Sequence, residues 1–129
     1  MTQVLGRRPV SEKHLISCEF GRKGKHWRGG VHKGVDFACP VGTPVEAYRK
    51  GKVVFAGNTG DGFGNYVKLE HDGFFSYCCH LDQIFVGVGD KIEEGHPMAS
   101  SGDSGNSTAP HLHFETRVSG KAVEPLFYV

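Results

Sequence analysis

The sequence has no run of about 18 apolar residues, so no segment in it is expected to cross a membrane as a helix. It has almost no net charge either. Fifteen Lys and Arg stand against 14 Asp and Glu, a formal charge of +1 at pH 7. That balance excludes the strongly basic signature of nucleic-acid binding and makes long-range steering by net charge weak. No HExxH pattern occurs, which excludes the peptidases that carry two zinc-binding histidines on one helix. No amphipathic helical pattern runs longer than two turns, and no repeat, low-complexity tract or linker divides the chain. Arg7 and Arg8 are not followed by an apolar segment, so the N-terminus is not expected to be a secretory leader.

What is present favours short strands. A chain of 129 residues fits one domain, 1–129, and buries roughly two-thirds of its unfolded surface. Nineteen glycines are about twice the usual share of roughly 7%. Glycine at that density supplies turns with positive φ. Residues 1–28 read as an irregular lead-in. Lys52 to Ala56 is a Val-rich strand ending in a Gly-Asn-Thr-Gly turn. Asn65 to Glu70 alternates, with Val67 and Leu69 on one face and Lys68 and Glu70 on the other. His71-Asp72-Gly73 is a hairpin turn into a strand from Phe74 to Leu81. Val86 to Ile92, Pro97 to Ser101 and His111 to Val118 are further strands, with a small-residue loop from Ser101 to Ala109. The fold class is all-β and antiparallel, a compact sheet or sandwich.

The four cysteines, Cys18, Cys39, Cys78 and Cys79, permit disulfides, but Cys78 and Cys79 are adjacent and point to opposite faces of a strand. Mostly free, buried thiols are expected. The basic cluster of Arg22, Lys23, Lys25, Arg28 and Lys33 reads as a solvated loop before it reads as a contact for an anionic surface.

The histidines carry the chemistry. His111 and His113 sit two apart on a strand, so they share a face about 7 Å apart along the backbone. Leu112, Phe114, Thr116 and Val118 then enter the core beneath them. His32 and Asp36 are four apart, which in a straight strand is roughly 13 Å and too far to share an ion. Gly34 between them, with Gly29 and Gly30 before, could let the chain bend and close that gap. By spacing alone the two read as an exposed ion pair before they read as a metal site. Two neutral imidazoles and one carboxylate suit a zinc ion with an open fourth position. His80 closes the strand from Phe74, where a side chain can emerge at a sheet edge; His14, His26, His71 and His96 have no such pairing.

These residues resemble the lysostaphin-type, LytM-like zinc metallopeptidases that cut peptidoglycan. The resemblance lies in His32-Lys33-Gly34-Val35-Asp36-Phe37, in His80-Leu81, and in Ser107-Thr108-Ala109-Pro110-His111-Leu112-His113-Phe114-Glu115. It continues in Gly42-Thr43-Pro44-Val45, Gly51-Lys52-Val53-Val54 and Gly62-Phe63-Gly64-Asn65, in order from about Gly29 to Tyr128. It implies one zinc ion held by His32, Asp36 and His113, with His80 and His111 as catalytic residues that orient or deprotonate the attacking water and hold the oxyanion. It implies a compact antiparallel sheet with a loop-lined groove. Glu115 shares parity with His111 and His113 and is assigned a supporting role. One departure stands out: the family has Tyr two positions before the middle histidine, where this chain has Cys78. By strand parity Cys78 could face the site and, as a thiolate, close the zinc's open position.

The implied substrate is the peptide portion of bacterial peptidoglycan, either polyglycine bridges or D-Ala-to-diaminopimelate cross-links, with the latter expected here. The implied protein is a monomer acting in the periplasm or outer wall, reached by phage release, a virion or another export route. The alternative is a non-catalytic zinc-binding or wall-binding module that activates another hydrolase or forms part of a virion. Gly102-Asp103-Ser104-Gly105 mimics a serine-protease loop, but the chain is too short for the two barrels that fold needs. A Cys79–His80 nucleophile pair fails because neighbours on a strand face apart.

Overall fold

The computed structural model describes residues 6–25, 27–105 and 109–126. Ser107, Thr108, His26 and Tyr128, named above, lie outside the described residues. Ten strands follow in order: β1 Ile16–Cys18, β2 Val35–Ala38, β3 Pro44–Glu46, β4 Gly51–Asn58, β5 Asn65–Glu70, β6 Phe75–Ile84, β7 Lys91–Ile92, β8 Pro97–Ser101, β9 His111–Val118 and β10 Lys121–Val123. A three-residue 3-10 turn, Arg28–Gly30, is the only helical element among the described residues. All pairings are antiparallel, and the main sheet runs β1-β2-β9-β6-β5-β4-β7. No helix among the described residues is long and apolar enough to cross a membrane.

β6 pairs with β5 along one edge and divides the other between two partners. Its first half, Phe75 to Cys79, pairs with β9, while Leu81 to Ile84 pairs with β8, which also carries β3. The sheet forks between Cys79 and Leu81. His80 stands at the fork with φ +64, a left-handed conformation uncommon for a side chain other than glycine. Its amide N–H donates to the Phe63 carbonyl at 2.8 Å instead of to a ladder partner. The core lies on the inner face: Leu112 and Phe114 of β9, Phe37 of β2, Val53 and Leu69, roofed by Val45 and Met98 of the β3–β8 arm. Leu112, Phe114 and Thr116 are fully buried, as period-2 alternation requires, and Val118 packs at the margin.

Three sequence expectations change. The lead-in is not wholly irregular: β1 pairs with β2, and residues 21 to 32 fold back on themselves through Gly21 N–H to His32 O and His32 N–H to Arg22 O, each 2.8 Å. Three residues are too few to show a period. The strand expected from Val86 contracts to Lys91–Ile92, since Gly87-Val88-Gly89-Asp90 turns instead, with Asp90 Oδ2 accepting from the Gly87 amide at 2.8 Å. Most important, Cys78 does not face the site. It opposes Phe114 and Val67 in register and is buried in the core. The left-handed turn at His80 breaks the parity on which the expectation rested. Burial pushes the Cys78 thiol up to about 12, so it stays a neutral hydrophobe. All four cysteines are free; Cys39, Cys78 and Cys79 are buried, and Cys18 is half-buried.

Candidate metal centre

Three donors meet where β2 and β9 run side by side. Asp36 opposes His113 and Ala38 opposes His111 in the register. Opposed residues of an antiparallel pair project to the same face. His32, just upstream of β2, reaches the same point. Its Nε2 lies 3.3 Å from Asp36 Oδ1 and 3.3 Å from His113 Nδ1, and His113 Nδ1 lies 2.7 Å from the same Asp36 oxygen.

Gly34 makes this possible, though not as a hinge. A Cβ there would collide with the Phe114 carbonyl and stand 2.8 Å from His113 Cε1 and 2.9 Å from Glu115 Cγ. Close approach, not positive φ, is what glycine supplies at this position. Gly29 and Gly30, at φ +78 and +80, do provide the turning conformations before His32. Gly34→Ala is expected to cost about 1–3 kcal/mol by overpacking and to weaken metal uptake, read from the thermal midpoint and a zinc titration. An unchanged midpoint would show that β2 has room to shift.

Outer partners fix each ring. His32 Nδ1–H donates to the Glu19 carbonyl at 2.9 Å, which leaves Nε2 as the lone-pair nitrogen facing Asp36. Trp27 lies over the same ring, with centroids 5.0 Å apart. His113 Nε2–H donates to Glu115 Oε2 at 2.7 Å, and Arg117 grips the other Glu115 oxygen at 2.8 and 2.6 Å. His80 Nδ1–H donates to the Ser104 carbonyl and His111 Nδ1–H to the Ala109 carbonyl, each at 2.7 Å. Their rings stand 4.8 Å apart by centroid, and His111 Nε2 is 3.9 Å from Asp36 Oδ1.

Electrostatics show what the cluster favours. Burial works against a charged His113, but the hydrogen bonds to Asp36 and Glu115 outweigh it and hold its pKa at about 9. Burial would raise Asp36; the hydrogen bond from His113, with His32 beside it, instead pulls it far below the usual carboxylate range. Glu115 is drawn down in the same way: burial opposes, His113 and Arg117 prevail. Burial lowers His80, only partly offset by its bond to Ser104, so that ring is neutral at pH 7. The point between Asp36 and His113 therefore favours a positive charge.

The donor set fits a metal. A tetrahedron with bonds of about 2.0–2.1 Å has edges of roughly 3.3 Å. Two of the three donor separations are 3.3 Å, and the third, 2.7 Å, needs to open only slightly once a cation replaces the His113 Nδ1 proton. A proton and a metal thus compete for one nitrogen. At pH 7 zinc uptake is expected to release at least about one proton per ion, the one from His113, measured calorimetrically in buffers of different ionisation heat. Because the folded His113 value lies above the ordinary 6.5, its stabilisation of the metal-free fold is full below 6.5 and is lost as pH climbs through about 9. Zinc affinity should rise over the same interval; an affinity flat from pH 6.5 to 9 would contradict the arrangement.

The structure gathers all five singled-out residues, His32, Asp36, His80, His111 and His113, on one face. His80 arrives from mid-strand at the fork rather than from a strand end. His14 and His96 stay apart from the cluster, and His71 is buried against Ser76 Oγ and the Lys50 carbonyl. Ser104 is a clip: its hydroxyl donates to the Leu81 carbonyl at 2.7 Å and accepts from the Asn65 amide at 3.1 Å. Arg22, Lys23 and Lys25 of the basic cluster are exposed. Sequence reasoning missed Glu19, Trp27, Ser104 and Arg117. Only Arg117 left a signal, since it shares parity with Glu115 on β9.

Comparisons with known proteins identify the family. The family model described as Peptidase family M23 matches residues 30–125. Peptidoglycan DD-endopeptidase ShyA of Vibrio cholerae is 38% identical over 130 residues, covering 98% of this chain and 30% of that protein. The catalytic domain of the antimicrobial peptidase lysostaphin from Staphylococcus simulans superposes with a TM-score of 0.83 at 39% identity, covering 88% of this chain and 90% of that one. A zinc-containing peptidase from Vibrio cholerae gives 0.85 at 35% identity, covering 95% of this chain and 39% of that one. The chain spans only 19–30% of the length of the first curated relatives it matches. The matched length, the shared sheet and the relatives' identities place this chain in peptidase family M23, a family of metallopeptidases.

Proposed function

We propose that the chain is a zinc endopeptidase domain that hydrolyses peptide cross-links of bacterial peptidoglycan. The observation that carries this reading is the meeting of His32 Nε2, Asp36 Oδ1 and His113 Nδ1 within 3.3 Å, each imidazole anchored through its other nitrogen by a carbonyl or carboxylate behind it. These three residues would hold one zinc ion. When bound, such an ion with three protein ligands supplies Lewis acidity at one open position.

The remaining chemistry belongs to the chain. His80 and His111 present Nε2 to the cleft because a carbonyl holds each Nδ1 proton. Neutral at pH 7, His80 can take a proton from attacking water and return it to the leaving amine. His111, nearer Asp36, can orient that water and hydrogen-bond the developing oxyanion once protonated. Glu115, itself gripped by Arg117, fixes the tautomer and angle of His113. It is engaged on both oxygens and is not placed to act as a base.

The peptidoglycan endopeptidase activity of the Vibrio cholerae relative supports peptidoglycan as the substrate, and the wall compartment follows from it. Cross-links between stem peptides are our preferred target, with residues 1–129 forming one catalytic domain that acts as a monomer. The test digests purified peptidoglycan of the polyglycine-bridged and the directly cross-linked type and identifies fragments by mass spectrometry, alongside zinc content. New amine ends at the D-Ala-to-diaminopimelate bond support the full reading, and cuts in polyglycine would reassign the bond. Stoichiometric zinc with no fragments from either wall would favour a binding module.

A further inference from the structure

Cys18 is the only one of the four cysteines that is not buried. It ends β1, the edge strand, and its register partner across the sheet is Asp36. Asp36 is in turn opposite His113. Residues opposed in antiparallel strands share a face, so Cys18, Asp36 and His113 form one row on the side that carries the donors. The Cys18 sulfur, a His32 ring nitrogen and an Asp36 carboxylate oxygen all lie within 4.8 Å of one another. A zinc ion with Zn–N of about 2.0–2.1 Å and Zn–S of about 2.3 Å would set nitrogen and sulfur roughly 3.6 Å apart, an approach of at most about 1.2 Å from that 4.8 Å limit.

That approach is within the freedom of the segment. β1 has three residues, pairs on one side only, and carries an irregularity between Ile16 and Cys18. The sulfur is weakly held, 4.0 Å from the Glu19 carbonyl, with exposed Arg22 as its hydrogen-bonding neighbour. A turn about χ1 or a small slide of β1 brings it inward.

We infer that Cys18 is a displaceable fourth ligand, closing the metal centre at rest and yielding its corner when substrate enters. The inference rests on the reading of His32, Asp36 and His113 as the other three ligands. On ligation the thiol gives its proton to solvent as the sulfur–metal bond forms; on release that bond breaks and the sulfur takes a proton back. No electron changes hands. The edge strand thereby makes the accessibility of the metal depend on a thiol outside the family's motifs.

The test loads the full chain with cobalt(II). The wild type should show a near-ultraviolet thiolate-to-cobalt charge-transfer band that Cys18→Ser lacks, while both keep visible bands of a low-symmetry site. With zinc bound, alkylation of Cys18 by iodoacetamide, followed by peptide mass spectrometry, should slow by about tenfold, and turnover of Cys18→Ser at low wall concentration should rise by a similar factor. The wild-type spectrum and alkylation rates need no variant, so a poorly folding Cys18→Ser leaves the test intact. Cobalt bound with no charge-transfer band, a band that persists in Cys18→Ser, or alkylation indifferent to zinc overturns the inference and leaves the three-ligand reading standing. A chain that binds no cobalt overturns both.

Discussion

His113→Ala is expected to abolish zinc uptake and to lower peptidoglycan turnover by at least about 10³-fold, since the ion is worth several kcal/mol of transition-state stabilisation. The neighbouring change, His111→Ala, should leave zinc content near one ion per chain and still reduce turnover by about 10²–10⁴-fold, the usual worth of an acid–base group. The two residues are two apart on β9 and share a face, so a purely structural role would predict similar outcomes. The environments differ. His113 is clasped by Asp36 and Glu115 at 2.7 Å each, whereas His111 donates to the Ala109 carbonyl and stands 3.9 Å from Asp36. Metal analysis beside a turbidity assay separates them. Stoichiometric zinc in His113→Ala, or full activity in His111→Ala, would reverse the assignment.

The second large effect belongs to the core. Phe114→Ala is expected to destabilise the fold by about 3–5 kcal/mol and to lower the thermal midpoint by on the order of 10 °C. Phe114 is fully buried between His113 and Glu115 in the chain and opposes Val35 and Cys78 in register. Its ring packs against Tyr48 with centroids 5.1 Å apart. It anchors from below the strand that presents two site histidines above. Zinc affinity should therefore weaken along with the midpoint. A loss under about 1 kcal/mol would mean that the cavity refills, which Tyr48, already packed against Phe74 and His71, has little freedom to do.

β9 was legible because its alternation is strict: donors out, Leu112 and Phe114 in. The β5–β6 hairpin was legible for the same reason, with Gly73 at φ +88 in its turn. What escaped the sequence escaped for physical causes. The fork at His80 depends on β8 arriving from far along the chain, and nothing within Phe74 to Leu81 announces it. Parity counted through His80 therefore put Cys78 on the wrong face. β1 is too short to show a period, so the thiol beside the ligands was found only in three dimensions. Glu19 acts through its backbone carbonyl, an atom every residue possesses, and so carries no signature. Gly34 was singled out correctly, but for a bend instead of a tight fit against β9.

The Glu19 carbonyl also moves the boundary of the chemically complete unit. The family match opens at residue 30, yet the acceptor that dictates which His32 nitrogen carries hydrogen sits eleven positions earlier, beside Cys18. A fragment started at the match would keep His32, Asp36 and His113 but lose both Cys18 and the carbonyl that orients one of those three. Its histidine could then present either nitrogen, and loosened metal retention would be the symptom.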